Sequence, residues 1–542
     1  MSIATFATGG SGTENSSFGI RTSYIHFCLL DKTGARRQNR HHDTGMNEIR
    51  RGAILNYILL FLQMGIPLAL TPYIMETLGA VEYGVYTLAG TLMMRLYMSD
   101  LGRTTTTKFL SEYYSRGDTE GAARFLGNMV TLYGAIGGCI FILGLCVYPW
   151  LGHIFYKFPP SSLSLYRVLY LMSLVNAAIM FPARSLAGVA DAQQRFTIPG
   201  IIAVTASATN ALGTVLLLAL GLRSVGLIAL SIGTGILALS CNVAYCFVGL
   251  KARITFSGWH KTIYRSLFVF SFWMFLNQFI NMLNAGIGNN IVAMTQGETA
   301  TGIYTNGLMI YGNYYLLAGV LATLFLPRVV HMVIRGATPL EQTQAMIRLG
   351  RAQLMILGAA LIGLLFFGQE FFRLWVGHIP GADADLSYHI ALCLVIPQTL
   401  GLVQALGWQI SQARDALRQR VLITGFNSLL FIVVSYFVCL HWGIRAQAIW
   451  GTISILIQLL MLNLIHYRGL GLSMGLFYRA TFRHTPTAAI LCAAVCLALN
   501  SIIGSGGWWA FGLKVALFLA CYPIIVLKLY ATAEERSWLK CR

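Results

Sequence analysis

Acidic residues are scarce in this chain. It holds 19 aspartates and glutamates against 38 lysines and arginines in 542 residues, and charged residues of both signs make up only 11% of it. Hydrophobic residues reach 56%, and the mean hydropathy is +0.66. A soluble domain has about a quarter charged residues, because its surface faces water. The shortage of charge excludes a soluble globular protein and indicates a polytopic membrane protein.

Motifs of catalysis and metal binding are also missing. Neither HExxH nor the P-loop occurs, which removes two common signatures of metal-dependent and nucleotide-dependent enzymes. The eleven cysteines are scattered, mostly within apolar runs, with no CxxC pair and no histidine at ligand spacing. Such cysteines act as small hydrophobic residues. We therefore expect no metal, no disulfide, no cofactor and no enzymatic activity.

The net charge of +19 follows the predicted topology. About 31 of the 38 lysines and arginines fall in loops predicted on one side of the membrane, about six on the other, and one, Arg95, within a span. Excess basic residues mark the cytoplasmic side. The charge thus reflects orientation, with some attraction to anionic lipids, and no nucleic acid is expected as a partner.

Residues 50–118 show this pattern most clearly. Two apolar runs lie between basic ends, the first interrupted by Pro67 and Pro72, and a turn at Gly79 separates them. Each run reaches the roughly 20 residues that cross about 30 Å of hydrocarbon. The segment predicts a helical hairpin with both ends in the cytoplasm.

Extending this reading along the chain predicts an all-α polytopic membrane protein with about fourteen transmembrane helices. The predicted spans are residues 53–77, 82–102, 127–151, 165–187, 198–220, 224–249, 267–294, 301–326, 350–372, 387–410, 419–440, 444–467, 484–504 and 508–530. An even number places both termini in the cytoplasm, as the basic loops also require. Residues 1–46 read as a disordered cytoplasmic tail. The tryptophans near span ends are expected at the lipid interface: Trp150, Trp375, Trp442, Trp508 and Trp509.

The chain repeats itself at an offset of about 218 residues. The segment 79–87 reads GAVEYGVYT, and 297–305 reads GETATGIYT. Further matches follow in the same order, so residues 47–255 (N-lobe) and 256–470 (C-lobe) are interpreted as two six-helix halves. Because each half has an even number of spans, the two run parallel across the membrane. Residues 471–542 then hold an appended helix pair and a cytoplasmic tail.

Polar residues inside spans are the candidates for a substrate site, because repeat transporters bind substrates between their halves. Their side chains offer hydrogen bonds and aromatic surface, which suit the binding of sugars. The candidates are Asn56, Gln63, Asn277, Asn281, Asn284, Tyr304 and Tyr311. Interhelical hydrogen bonding is the alternative role for each.

Arg95 and Arg184 are candidates for binding an anion. A guanidinium in hydrocarbon is costly unless it faces water or an anion, and its planar fork fits phosphate oxygens. Both lie near the predicted cytoplasmic ends of their spans, so snorkelling to the interface is the alternative. Inside the lobes the only carboxylates found are Asp100 and Glu370, both near span ends, so the chain is poorly equipped to bind a coupling cation.

The opening MNEIRRGAILNYILLFLQMGIPLALTPYIMETLGAVEYGVYTLAG, followed by YMSDLG, resembles the start of bacterial polysaccharide flippases, the O-antigen and lipid-linked oligosaccharide exporters of the MOP superfamily. The segment ARSLAGVADAQQRF at the end of span 4 is similar to that family as well. The resemblance implies a MATE-like fold, with two six-helix lobes around a cationic central cavity that opens alternately to the two sides of the bacterial cytoplasmic membrane.

The same resemblance implies a substrate, undecaprenyl-pyrophosphate-linked oligosaccharide, and a further partner, a polysaccharide polymerase. On this interpretation Arg95 and Arg184 attract the pyrophosphate, while the asparagine and tyrosine faces contact sugars. The substrate's lipid tail stays among the membrane lipids. Two other hypotheses remain: a cation-coupled multidrug antiporter of the same superfamily, and a membrane-embedded glycan polymerase or ligase. The polymerase would be expected to have a large periplasmic loop, and no outside loop here is long.

Overall fold

A computed structural model of the chain describes residues 38–97, 101–256, 276–277, 279–281, 284, 286–413 and 417–530. Every element of regular secondary structure in these residues is a helix, as predicted for an all-α membrane protein. The helices are α1 (Gln38–Tyr97), α2 (Leu101–Ser115), α3 (Thr119–Val147), α4 (Leu151–Ile154), α5 (Pro160–Ala192), α6 (Thr197–Ala219), α7 (Ser224–Ala244), α8 (Ile287–Gln296), α9 (Glu298–Ile334), α10 (Pro339–Trp375), α11 (Ala384–Leu402), α12 (Ala405–Ala413), α13 (Leu417–Leu464), α14 (Met474–Phe482), α15 (Thr485–Ile503) and α16 (Gly507–Leu529).

Nine helical stretches in the described residues are long and apolar enough to cross a membrane. A tenth results if α11 and α12, which are bent by 52° at the break between them, count as one span. Large apolar side chains also lie on the outer surface, including Phe61, Leu212 and Ile502. In water they would be a liability, whereas lipid accommodates them. The polytopic class is confirmed, and the count of fourteen spans stays a prediction.

Helices α1 and α13 are each interrupted by one glycine. Gly79 has a φ of 79° and Gly443 a φ of 74°, values that a residue without a Cβ adopts at no steric cost. Within α13, Asn427 donates to Ser454 (3.2 Å) and Gln447 donates to Ser435 (3.1 Å). These pairs are centred on the glycine, so α13 doubles back there as an antiparallel hairpin.

The repeat found in the sequence recurs in the backbone. Left-handed glycines pair as Gly79 with Gly297, Gly117 with Gly336, and Gly221 with Gly443. A π-helical turn closes α7 at Tyr245–Gly249, and another closes α13 at Ile465–Gly469. The two halves therefore share connections as well as helices, while the lobe bounds given from the sequence stay a prediction.

We call the face of the molecule at Gly79, Gly297 and Gly443 the turn side, and the opposite face at Gly117 and Gly336 the basic side. Most of the chain's arginines belong to the loops of the basic side. Helix α1 begins at Gln38 on that side, so its first residues extend into the segment expected to be a tail.

The appended pair α15 and α16 packs on α10 of the C-lobe. Between them Lys514 Nζ contacts Glu370 Oε2 at 2.6 Å, and the Lys514 side chain is only 3% exposed. One of the two intramembrane carboxylates singled out in the sequence is thus neutralised by a buried lysine. Asp100, the other, lies outside the described residues.

We predict that Lys514→Met loosens the appended pair, because it leaves the Glu370 carboxylate buried without its cation. Removing one partner of a buried ion pair typically costs about 3 kcal/mol or more. The variant should unfold at a lower temperature in detergent, as followed by scanning fluorimetry. The double variant Lys514→Met with Glu370→Leu is the control and should recover most of the loss; equal instability of both variants would contradict a charge-pairing role.

Candidate functional site

The two copies of the repeat motif pack against each other where α1 crosses α9. Gly84 lies so close to α9 that a Cβ there would overlap the carbonyl oxygen of Glu298. In the other copy, a Cβ on Gly302 would lie 3.1 Å from the Tyr83 ring and 3.6 Å from the carbonyl oxygen of Ala80. Small residues therefore allow the two backbones to approach, as at other helix crossings in membranes.

This crossing has approximate two-fold symmetry. Gly84 and Gly302 are equivalent in the repeat, as are Ala80 and Glu298, so each copy presents the same position to the other. Thr87 and Thr305 are also equivalent, and their hydroxyl oxygens lie 3.4 Å apart. Equivalent residues can touch only near the axis that relates them. The pseudo-two-fold axis of the two lobes therefore passes through this pair.

A buried hydrogen bond reinforces the crossing. The Tyr83 hydroxyl donates to Asn306 Oδ1 at 2.9 Å, and both side chains are buried. The Asn306 amide reaches Met75 Sδ at 3.9 Å. A polar group in an apolar seam is costly unless it is paired. The seam is therefore specific for this register of the two lobes.

The first arm of α1 also contacts the C-lobe, at the loop after α10. Trp375 Nε1 donates to the carbonyl oxygen of Leu68 at 2.7 Å, and Glu76 Oε1 lies 2.6 Å from His378 Nε2. The prediction that Trp375 lies at the lipid interface is wrong: the ring is buried because it spans the seam between the lobes. The other four tryptophans predicted there are exposed: Trp150, Trp442, Trp508 and Trp509.

All of these interlobe contacts lie in the turn-side half of the molecule. Together they close the space between the lobes on that side. Position 95 of α1 lies eleven residues after Gly84, about three helical turns or roughly 16 Å towards the basic side, on the same helix face. The side chains of Arg95 and Arg184 lie outside the described part of the structure.

The predicted polar residues fall into two groups. Asn56 and Gln63 on α1 are exposed, as is Asn281, whereas Asn284 is half-buried and Asn277 is buried. An exposed amide within a span is stable where it faces water or another polar group. Cavity lining by the exposed amides stays a prediction.

Tyr304 and Tyr311 lie on a face of α9 that is turned into the C-lobe. Tyr304 is buried and belongs to the cluster with Ile291, Ile390 and Leu394, and Tyr311 packs at the edge of that cluster. In this conformation the two rings support the lobe, which is the alternative role that the sequence left open. Contact with a substrate would require the cluster to open.

The structure brings together a group that the sequence reasoning missed. Arg420, counted among the basic loops, lies at the beginning of α13, and its guanidinium carbon is 3.9 Å from the centre of the Trp408 ring. His466 is buried beside them. Charge alone could not reveal this group, because Arg420 belongs to a basic run whose other members border a loop.

Among the described residues, no three histidine, cysteine or acidic side chains come together to hold a metal ion. The nine cysteines there are free thiols. Cys28 and Cys541 lie outside the described residues.

No family model matches the sequence. A Bacillus subtilis (strain 168) protein described as uncharacterized membrane protein EpsK is 22% identical over 496 residues, which are 89% of this chain and 95% of that protein. The lipid II flippase MurJ in an inward closed conformation superposes with a TM-score of 0.69 at 14% identity, over 88% of this chain and 98% of that one.

An inward-facing multidrug resistance MATE family transporter of the MOP superfamily superposes with a TM-score of 0.56 at 15% identity, over 76% of this chain and 93% of that one. At such identities the likeness establishes the fold. The chain has the fold of MurJ and the MATE transporters, as predicted from the sequence.

We predict that Gly84→Ala opens the turn side, because the added methyl collides with the backbone of α9. Overpacking costs about 1–3 kcal/mol, so the closed state should become roughly five- to 150-fold less populated relative to the open one. The measurement is disulfide formation between Thr87→Cys and Thr305→Cys, detected in digested protein by mass spectrometry, and its rate should fall. Gly90→Ala on the same helix is the control, because no atom lies within 4 Å of its Cβ. Equal rates in the two variants would contradict the proposed seal.

Proposed function

We propose that this protein translocates undecaprenyl-pyrophosphate-linked oligosaccharide across the bacterial cytoplasmic membrane by alternating access. The observation that carries the proposal is the symmetric crossing at Gly84 and Gly302. A seal built from equivalent pieces of two repeats separates when the lobes rock about their common axis, without disturbing either lobe's core.

The fold supports the same conclusion. It is shared over nearly the whole of both chains with a lipid II flippase, whereas the substrate proposed here is a lipid-linked oligosaccharide. A substrate of this class has a doubly charged pyrophosphate, a polar glycan and a long hydrocarbon tail. Only the first two need a polar path, while the tail stays in the bilayer.

The polar residues predicted to line the space between the lobes suit this substrate. On the proposed interpretation Arg95, and Arg184 on α5, hold the pyrophosphate, because guanidinium forms paired charge-assisted hydrogen bonds with phosphate oxygens. Asn56, Gln63 and Asn281 then contact sugars. Asn277, Asn284, Tyr304 and Tyr311 would join them as the lobes rearrange.

The positive-inside rule orients the molecule. With the basic side in the cytoplasm, both termini are cytoplasmic, and the closed turn side faces the periplasm. The conformation described above is then the one that receives substrate from inside. Released substrate would pass to a polysaccharide polymerase.

A cation-coupled multidrug antiporter is the second candidate, and the likeness to a MATE transporter favours it. Coupling to a cation requires a carboxylate that can bind the ion within a lobe. In the described spans Glu370 is held by Lys514, and Glu298 lies in the turn-side seam beside Ser162. Neither lies free in a central cavity, so the flippase is the better supported function.

We predict that deleting the gene causes the lipid-linked repeat unit to accumulate on the cytoplasmic side. The wild-type gene should remove the accumulation, and Arg95→Ala should fail to, because the pyrophosphate loses its cationic partner. The measurement is mass spectrometry of extracted lipid-linked glycans, with protein levels in the membrane checked by immunoblot.

Arg51→Ala is the matched control, since Arg51 is an exposed arginine near the basic-side beginning of the same helix, and it should complement fully. Complementation by Arg95→Ala would remove Arg95 from the site. No accumulation after deletion, together with drug sensitivity, would discard the flippase and support the antiporter.

A further inference from the structure

A cationic pocket lies inside the C-lobe, away from the crossing of α1 and α9. It forms where the tenth predicted span is broken between α11 and α12. Arg420 stacks on Trp408 of α12, and Tyr315 of α9 is close enough to Arg420 to interact with it electrostatically. Tyr315 is 53% exposed, so the group is accessible from the surface on this side.

His466 forms the floor of the pocket. It lies in the π-helical turn that closes α13, against the backbone of α12, where a Cβ on Gly407 would be only 2.6 Å from its ring. The residue is 2% exposed, and neither ring nitrogen has a hydrogen-bond partner. Its ring is within electrostatic range of Arg420. A buried imidazole without a partner is costly, and nearly all buried polar groups in proteins are satisfied.

The fold itself does not require this pocket, because the N-lobe has the same backbone without it. In the repeat, His466 corresponds to Cys246, since the two π-helical turns begin at Tyr245 and Ile465. Gly407 corresponds to Gly188 at an offset of about 219, which places Val189 opposite Trp408. At that offset Ile201 stands opposite Arg420. The N-lobe thus has Val189, Ile201 and Cys246 at these positions. The C-lobe has Trp408, Arg420 and His466 there instead.

The charge of Arg420 calls for an anion. It lies in the first described turn of α13, where the helix dipole presents partial positive charge and disfavours a further cation. Within the described residues no carboxylate pairs with it, and it lies beside an aromatic ring, a phenol and an imidazole. An oxyanion in the pocket would accept hydrogen bonds from the guanidinium, and the phenol and imidazole could donate as well.

We propose that Arg420, His466 and Tyr315 bind the phosphate group of a lipid in the basic-side leaflet. Arg420 and His466 lie near the two basic-side ends of the α13 hairpin, and basic groups between helices on that side are a typical binding site for lipid phosphates. Two sources share this chemistry: an isoprenoid pyrophosphate, which would make the pocket an entry site for the substrate and rests on the proposed function, or an ordinary anionic glycerolipid, which does not.

The test is lipid binding to the purified full-length protein in detergent, measured by native mass spectrometry. Farnesyl pyrophosphate and phosphatidylglycerol are titrated separately. Losing a charge-assisted hydrogen bond weakens binding about tenfold or more. Arg420→Gln should therefore lower the affinity for one or both lipids by that factor. Arg418→Gln, an exposed arginine two residues earlier on the same helix, should change both by less than about twofold.

His466→Cys is the second variant, because the N-lobe already uses cysteine at this position and the fold should tolerate it. This variant should lower, several-fold, the affinity for the lipid or lipids that Arg420→Gln affects, while its unfolding temperature stays unchanged. Loss of farnesyl pyrophosphate alone identifies a substrate entry site, and loss of both lipids identifies a general phosphate site. Unchanged binding of both lipids to His466→Cys and to folded Arg420→Gln would contradict the proposal that these residues bind a lipid phosphate. Because the binding assay involves no translocation, this result would not contradict the proposed flippase function. Conversely, a gene deletion that causes no accumulation would not contradict the proposed phosphate site.

Discussion

The close approach of α1 and α9 is the contact on which the arrangement of the lobes depends. At Gly84 the two backbones are too close for any side chain, and the axis relating the lobes runs through Thr87 and Thr305. Hydrophobic burial contributes little to such a contact in a bilayer, because lipid is as apolar as the seam. Packing and the buried pair Tyr83 and Asn306 therefore have to provide the specificity. A contact held in this way can separate and re-form, as the proposed alternating access requires.

Several of the described acidic residues are paired with basic ones. Besides Glu370 with Lys514, the described ion pairs join Asp191 to Arg103, Glu82 to Arg223 and Asp385 to Arg373. With half as many acids as bases, the chain has too few carboxylates to pair every arginine and lysine. Those at the membrane surface orient the protein, and Arg420 remains inside a lobe. The scarcity of acid thus determines both the topology and the anion chemistry open to the protein.

Much of the fold could be predicted because the length of an apolar run and the basic residues of a loop are recognised from neighbouring residues in the chain alone. The hairpin at Gly79 followed from two apolar runs and a turn, and the repeat was visible as matching glycines. Trp375 was misplaced for a physical reason: a tryptophan at a span end is equally suited to a lipid interface and to a seam between lobes, and its neighbours in the chain do not distinguish them. Tyr304 was ambiguous for the same reason, since a polar aromatic residue on one helix face can line a cavity or pack a core.

The order of residues alone is enough to show that the chain crosses a membrane many times, that it consists of two similar halves, and which face carries the positive charge. These properties follow from the transfer of residues into hydrocarbon, from the distribution of basic residues and from a repeat at an offset of about 218 residues. None of them requires knowing which helices pack together. Only the tertiary structure decided that the two copies of the glycine motif face each other, and that Arg420 meets Trp408 and His466. Those contacts join residues that are distant in the chain, and their energies arise from complementary shape and paired charge that exist only once the helices have assembled.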